Sequence, residues 1–317
     1  MRVLVTTPYG VDSLQGNTVS AKRIASLLNE EGLDAEVVSD GDDFSNTEVL
    51  IALHARKSAH FIDEFISKNP KGKVLLYLTG TDLYADIPRG CNICSRSMEI
   101  ADKLVVSQEA SLSSVPEQFG SKTEVIYTSI ELPELGSEIE LPGAPLLTSI
   151  GHLRAVKQPL MGVKALQLID DKVQFKLLGN VVDEDLGSEA LVWQKKDERF
   201  QWLGGVSHME VIQWVARSTV TLNTSVMEGG ANSVGESIVL GVPVLASRIE
   251  GNVGMLGADY AGYFSADNEK ELAELMHRVI NDKAFLCHLR EQVKARSVKF
   301  TRENEKRGWI ELIKGVE

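Results

Sequence analysis

Short β-rich apolar runs alternate with longer helical stretches along the chain, and the series starts twice. In the first half, strand runs are expected at 2–6, 48–53, 73–78, 103–106 and 124–127. Helices are expected between them. One covers 18–31, with Ile24, Leu27 and Leu28 on one face and Gly32 as its stop; another covers 57–68 and closes on Asn69-Pro70. The stretch 132–145 then carries three prolines, two glycines and three acidic residues and reads as a linker. After it come strand runs near 146–150, 173–178, 220–223 and 242–246. Alternation of this kind makes a parallel sheet covered by helices, so the expectation is two α/β units in tandem. A charged helix over 302–316 offers Trp309, Ile310 and Ile313 for docking.

A chain of 317 residues suits two domains. Its net charge is −12, of which residues 1–147 carry −10 (12 basic, 22 acidic) and residues 148–317 carry −2 (21 basic, 23 acidic). So acidic a first half repels nucleic acid and anionic lipid, so neither is expected as a partner. No apolar run approaches the ~18 residues of a membrane span, and no leader pattern follows Met1, so a cytoplasmic protein is expected. Three cysteines, Cys91, Cys94 and Cys287, fit a reducing compartment. Cys91-Asn92-Ile93-Cys94 lacks the further ligands of a zinc site and the aromatic context of a redox pair. It reads as two ordinary thiols before a helix.

Ligands of doubly wound sheets sit beyond the C-terminal ends of the strands. Beyond the strand at 220–223 lies Glu228-Gly229-Gly230-Ala231-Asn232-Ser233-Val234-Gly235-Glu236. Gly229 and Gly230 admit close backbone approach, and free N–H groups at a helix start suit a diphosphate. Glu228 and Glu236 can accept from sugar or ribose hydroxyls. Ser233-x-x-Glu236 is equally a capping box. A second strand end carries Gly151-His152-Leu153-Arg154-Ala155-Val156-Lys157. There Arg154 can meet phosphate bidentately and Lys157 as a point charge, or the loop is simply solvated. A third, Gln15-Gly16-Asn17, is half of a nucleotide-binding fingerprint or a plain turn; without Gly-x-Gly-x-x-Gly a dehydrogenase is not supported.

These motifs resemble glycosyltransferase family 4. Its Glu-x7-Glu segment is matched by Glu228 and Glu236, and its Gly-Arg-Leu-x-x-x-Lys strand end by Gly151-His152-Leu153-Arg154-x-x-Lys157. His152 takes the usual arginine position and Arg154 supplies the displaced charge. The resemblance is closer to one branch, the selenosugar synthases of selenoneine biosynthesis. It is carried by Gly16-Asn17, Ala52-Leu53-His54-Ala55-Arg56-Lys57-Ser58, Leu78-Thr79-Gly80-Thr81-Asp82-Leu83-Tyr84, Glu228-Gly229-Gly230-Ala231-Asn232 and Ala246-Ser247-Arg248-Ile249-Glu250-Gly251-Asn252-Val253-Gly254.

The resemblance implies an α/β protein of the GT-B fold, with two Rossmann-like doubly wound domains facing a cleft. Residues 1–140 would form the acceptor-side domain and 141–300 the nucleotide-sugar domain. Residues 301–317 would form a helix that packs back toward the first. It implies transfer from a UDP-sugar, UDP-N-acetylglucosamine above all, to selenophosphate. A carbon–selenium bond forms and UDP leaves. Gly16, Asn17, His152, Arg154, Lys157, Glu228, Gly229, Gly230, Ala231, Asn232 and Glu236 would bind the donor, and Arg154, Lys157 and Glu228 would carry catalysis. With no Asp-x-Asp motif, neither a divalent metal nor another cofactor is expected.

Many relatives carry a histidine where this chain has Thr79 of Thr79-Gly80-Thr81-Asp82. An alcohol acceptor benefits from a proton acceptor, whereas anionic selenium needs a cationic pocket. His54, Arg56 and Lys57 could form one, with Thr79, Asp82 and Arg248 beside it. Arg56 and Lys57 could also merely open a helix, and Asp82 could cap the following turn. An ordinary family 4 transferase with an alcohol or sugar acceptor, a silent nucleotide-sugar-binding protein and a UDP-sugar epimerase remain the alternatives.

Overall fold

A computed structural model describes residues 1–13, 16–39, 43–134 and 142–316. Part of the expected linker, and Gln15, lie outside the described residues. In chain order the elements are β1 (Arg2–Thr6), α1 (Gly16–Glu30), β2 (Asp34–Val38), β3 (Val49–Leu53), α2 (Ala59–Lys68), β4 (Lys73–Leu78), α3 (Asn92–Ile100), β5 (Lys103–Val106) and β6 (Thr123–Val125). The second series is β7 (Leu146–Ile150), α4 (Met161–Leu166), β8 (Gln174–Leu178), α5 (Glu184–Lys196), β9 (Phe200–Trp202), α6 (His208–Arg217), β10 (Val220–Asn223), α7 (Asn232–Val239), β11 (Val244–Ser247), α8 (Glu250–Leu256), β12 (Tyr263–Phe264), α9 (Glu269–Asn281), α10 (Lys283–Ser297) and α11 (Arg302–Lys314).

Two compact units result. Unit 1 comprises Met1–Ser129 and Thr301–Glu317, and unit 2 comprises Ile130–Phe300. Each described sheet has six strands, all paired in parallel. The orders are β2-β1-β3-β4-β5-β6 in unit 1 and β12-β11-β10-β7-β8-β9 in unit 2. Central strands are apolar throughout because helices cover both faces; β3 (Val-Leu-Ile-Ala-Leu) is buried at every position. Three strands, β2, β9 and β12, were not expected from the sequence, and all three are sheet edges. An edge strand has one wet side, and β2 (Asp-Ala-Glu-Val-Val) carries exposed Asp34 and Glu36, which mask its strand character.

The C-terminal helix α11 belongs to unit 1 and packs on α1. Trp309 and Ile313 are buried among Ile24, Leu28 and Tyr77, as the apolar face of the sequence implies. Glu305, also buried, fixes the helix in place. It accepts from the Arg23 guanidinium at 2.9 Å and from the Ser129 backbone N–H at 2.6 Å. A buried carboxylate is tolerable only when so paired.

Candidate active site

In each sheet the chain order reverses once. In unit 1 this happens between β1 and β3, and in unit 2 between β7 and β10. Loops that leave such a switch point in opposite directions open a crevice at the strand ends, where α/β proteins take their ligands. The expected site residues lie largely on these loops.

In unit 2 the loop after β7 and the loop after β10 are stitched together. Thr224 donates its hydroxyl to the carbonyls of Lys157 and Gln158 at 2.8 and 2.9 Å, and the Val226 N–H donates to Val156 O at 3.0 Å. Lys157 thereby reaches across the switch point to Glu228, with which it forms a close ion pair. The Ser225 hydroxyl donates to the same carboxylate oxygen at 2.6 Å. Lys157 and Glu228 retain 18% and 11% of their side-chain exposure, enough to meet a ligand and little enough to hold their geometry. The lysine stem packs beside Gly151, where a β-carbon would stand in ordinary contact 3.6 Å from Lys157 Cδ.

Gln158 and Asp267 both adopt left-handed backbone conformations, with φ of 44° and 63°, and their side chains bond to each other. Non-glycine residues hold such conformations only under constraint. Here the constraint fixes the end of the lysine loop. Neither residue was singled out from the sequence, and nothing in the spacing could have revealed the pair.

Arg154 is exposed, and its side chain has no hydrogen-bond or ion-pair partner among the described residues. His152 is turned by the Asn180 N–H, which donates to its Nδ1 at 3.2 Å, leaving the ring proton on Nε2. Helix α7 begins at Asn232 behind Gly229-Gly230. Its N-cap is Ala231, and no side chain caps it. The capping-box alternative for Ser233 and Glu236 therefore does not form. The Glu236 carboxylate instead lies 2.8 Å from His208 Nε2. His208, which the sequence suggests is a plain surface residue, is 58% exposed at its side chain yet partners a buried glutamate. The uncapped N–H groups leave a helix start whose chemistry suits an anion, four residues on from Glu228 in the chain.

Arg248 follows β11. Its guanidinium stacks 5.1 Å from the Tyr263 ring centre and donates to Ala258 O at 3.2 Å. Nearby, Gly251 opens α8 against the backbone of Glu228, where a β-carbon would fall 2.1 Å from the carbonyl oxygen.

In unit 1 the switch point is bridged by Lys57, which donates to the Tyr9 phenol oxygen at 2.6 Å and lies 4.8 Å from that ring's centre. Among the described residues Lys57 has no carboxylate partner. Arg56 does have one, Asp86 at 2.8 Å. Gly16 and Asn17 open α1 in this unit, and Gly16 has open space where a β-carbon would stand.

Asp82 is fully buried. Its Oδ1 accepts from the N–H groups of Thr79 and Gly80, each at 2.9 Å, and its Oδ2 from Ala55 N–H at 2.9 Å. The carboxylate does not cap the turn that follows, whose N-cap is Thr81 with no side-chain cap; it faces back and ties the loop after β3 to the loop after β4. Thr79 is held to it by its hydroxyl as well, at 3.4 Å.

His54 is 2% exposed and left-handed, with φ of 79°. Burial holds its pKa below the ordinary histidine value, against the opposing pull of Asp82. Its Nδ1 accepts from Lys57 N–H at 3.4 Å, while Nε2 has no partner among the described residues. The neutral ring therefore carries its proton on Nε2 as a buried donor. A histidine that folds neutral contributes stability that is full above its unfolded pKa. That stability is lost as pH falls below about 6.5 toward the lower folded value, because only the unfolded chain takes up the proton. His54→Asn, whose side chain also suits a left-handed backbone, should show a smaller loss of urea stability between neutral and mildly acidic pH than the unaltered chain.

Residues 137–299 match the family model of glycosyl transferases group 1, and this chain belongs to that family. Its fold is GT-B. HepE from Anabaena, solved with UDP, superposes with a TM-score of 0.81 at 15% identity, covering 99% of this chain and 100% of that one. Sucrose-phosphate synthase from Thermosynechococcus elongatus gives 0.77 at 14% identity, covering 99% and 98%. The apo lipopolysaccharide outer core galactosyltransferase WaaB gives 0.75 at 13%, covering 99% of each. Among the described residues no helix is long and apolar enough to cross a membrane.

Proposed function

We propose that this glycosyltransferase moves the sugar of a UDP-sugar, UDP-N-acetylglucosamine first among candidates, onto selenophosphate. Selenium attacks the anomeric carbon, the bond from that carbon to the diphosphate oxygen breaks, and UDP leaves. HepE has been solved with UDP-glucose, which supports a UDP-sugar donor. In unit 2 the leaving diphosphate is met by Arg154, Lys157 and the open start of α7, donors already in place before charge develops. Glu228 and Glu236 take the hydroxyl groups.

The observation that carries the choice of acceptor is the state of His54. Its Nε2–H is a donor and not a base, and Thr79 is bound to Asp82. An alcohol acceptor finds no proton acceptor there. An anion whose nucleophile already bears charge needs none, and it is drawn by Lys57, which has no carboxylate partner among the described residues. Mass spectrometry of products from UDP-N-acetylglucosamine with selenophosphate, and with thiophosphate beside it, tests this. The expected products are UDP and a selenium-bearing sugar. Donor consumption with alcohols alone would refute the acceptor, and turnover with no acceptor would indicate an epimerase.

In this reading protein cations and N–H groups neutralise the diphosphate and no divalent ion has a role. Turnover should therefore stay within about twofold when EDTA is added, whereas an enzyme relying on a metal as Lewis acid loses it.

A further inference from the structure

Cys91 and Cys94 take no part in the reaction just described. Cys91 is the N-cap of α3 and is partly exposed; Cys94, one turn on, is fully buried. The Cys94 N–H donates to Cys91 Sγ at 3.4 Å, so the outer sulfur already lies over the first turn of the helix. Side chains three residues apart on a helix have β-carbons about 5–6 Å apart. A disulfide needs about 3.5–4.5 Å. Cys91 can close that gap because the N-cap is extended, with φ of −64° and ψ of 103°, and is free of the helical dihedrals.

We propose that Cys91 and Cys94 form a thiol–disulfide exchange site that takes a small-molecule disulfide and closes to an internal disulfide. The exposed thiol is the entry. Cys91, as thiolate, attacks one sulfur of a disulfide such as oxidised glutathione. That S–S bond breaks and one glutathione thiolate leaves. Cys94 then gives its proton to solvent and attacks the Cys91 sulfur, expelling the second glutathione. The two protein thiols are oxidised by two electrons, and the glutathione disulfide is reduced to two thiols, which take up the two protons. Burial pushes the Cys94 thiol far up, so the partly exposed Cys91 and not Cys94 is the thiol that reacts first. The site is wired to the basic loop after β3, since Cys91 N–H donates to the carbonyl of Asp86, the residue that pairs with Arg56.

The test treats the folded full-length chain with oxidised glutathione, alkylates the remaining thiols and reads intact and peptide masses. The unaltered chain should lose two hydrogens, show a Cys91–Cys94 cross-link and keep one alkylatable thiol, Cys287. Reduced glutathione in excess should reverse it. Cys94→Ser should stop at a lasting glutathione adduct on Cys91. Cys91→Ser should react at least tenfold more slowly at Cys94; serine is a good N-cap, so this variant keeps the helix start. Three alkylatable thiols after oxidation, an adduct on Cys91 that never resolves in the unaltered chain, or a cross-link to Cys287 would each overturn the proposal.

Discussion

Lys157→Ala should lower kcat/KM by about 10²–10³, the usual cost of deleting one preorganised donor to a developing charge. The lysine is not a freely waving surface cation. Its stem lies on Gly151, its backbone carbonyl is held by Thr224, and its ammonium meets Glu228 across the switch point of the sheet. Removing it also strands the Glu228 carboxylate, which is largely buried and, among the described residues, keeps only the Ser225 hydroxyl. The stability cost should be about 1–2 kcal/mol, less than for a fully buried pair because both groups keep some solvent. The two effects can be separated. Lys157→Ala with Glu228→Gln removes the stranded charge, so the double variant should regain stability in urea titrations without regaining turnover. If turnover returns along with stability, the lysine is a structural partner of Glu228 and not a ligand of the diphosphate.

Asp82→Ala should be the most damaging single change to the fold of unit 1. Three backbone N–H groups, from Ala55, Thr79 and Gly80, lose the carboxylate that accepts from them; Ala55 is fully buried, while Thr79 and Gly80 keep some contact with solvent. At about 1–3 kcal/mol for each orphaned donor, partly recovered by relaxation, the loss is about 3–6 kcal/mol. For a unit of this size that lowers the melting point by about 10–20 °C. Asp82→Asn should fall between, because its amide can accept from Thr79 and Gly80 but then turns an N–H toward that of Ala55. Peptide-level hydrogen exchange checks the origin of the loss. Protection should fall around 54–58 and 78–82 and persist in unit 2. Exchange unchanged at those loops would show that the carboxylate is not their tie.

The sequence carried most of the fold because the central strands are short, β-branched and buried on both faces. β3 and β7 could hardly be anything else. The edges were hidden for the complementary reason: β9 and β12 have three and two residues, too few for any periodicity. At the site, Glu228, Lys157 and Arg154 were legible from spacing and charge. Their partners were not. Ser225, Thr224 and His208 are ordinary residues until strand order brings two loops together, and strand order is not written in local pattern. The capping-box alternative at Ser233 fails for the same cause. The motif was present, but the helix starts at Asn232 and the glutamate turns to His208.

Unit 1 is discontinuous in the chain. It runs to Ser129, is interrupted by the whole of Ile130–Phe300, and is completed by the segment that carries α11. During synthesis the ribosome thus finishes the second unit before it makes Trp309 and Glu305, the residues that fill and tie down the α1 side of the first. Until then the part of α1 that meets α11 and the Tyr77 ring that meets Trp309 wait uncovered, and the Arg23 guanidinium lacks the Glu305 carboxylate. The second unit, encoded without interruption, can fold as it emerges. The order of maturation is therefore inverted, with the part made first being the last to close.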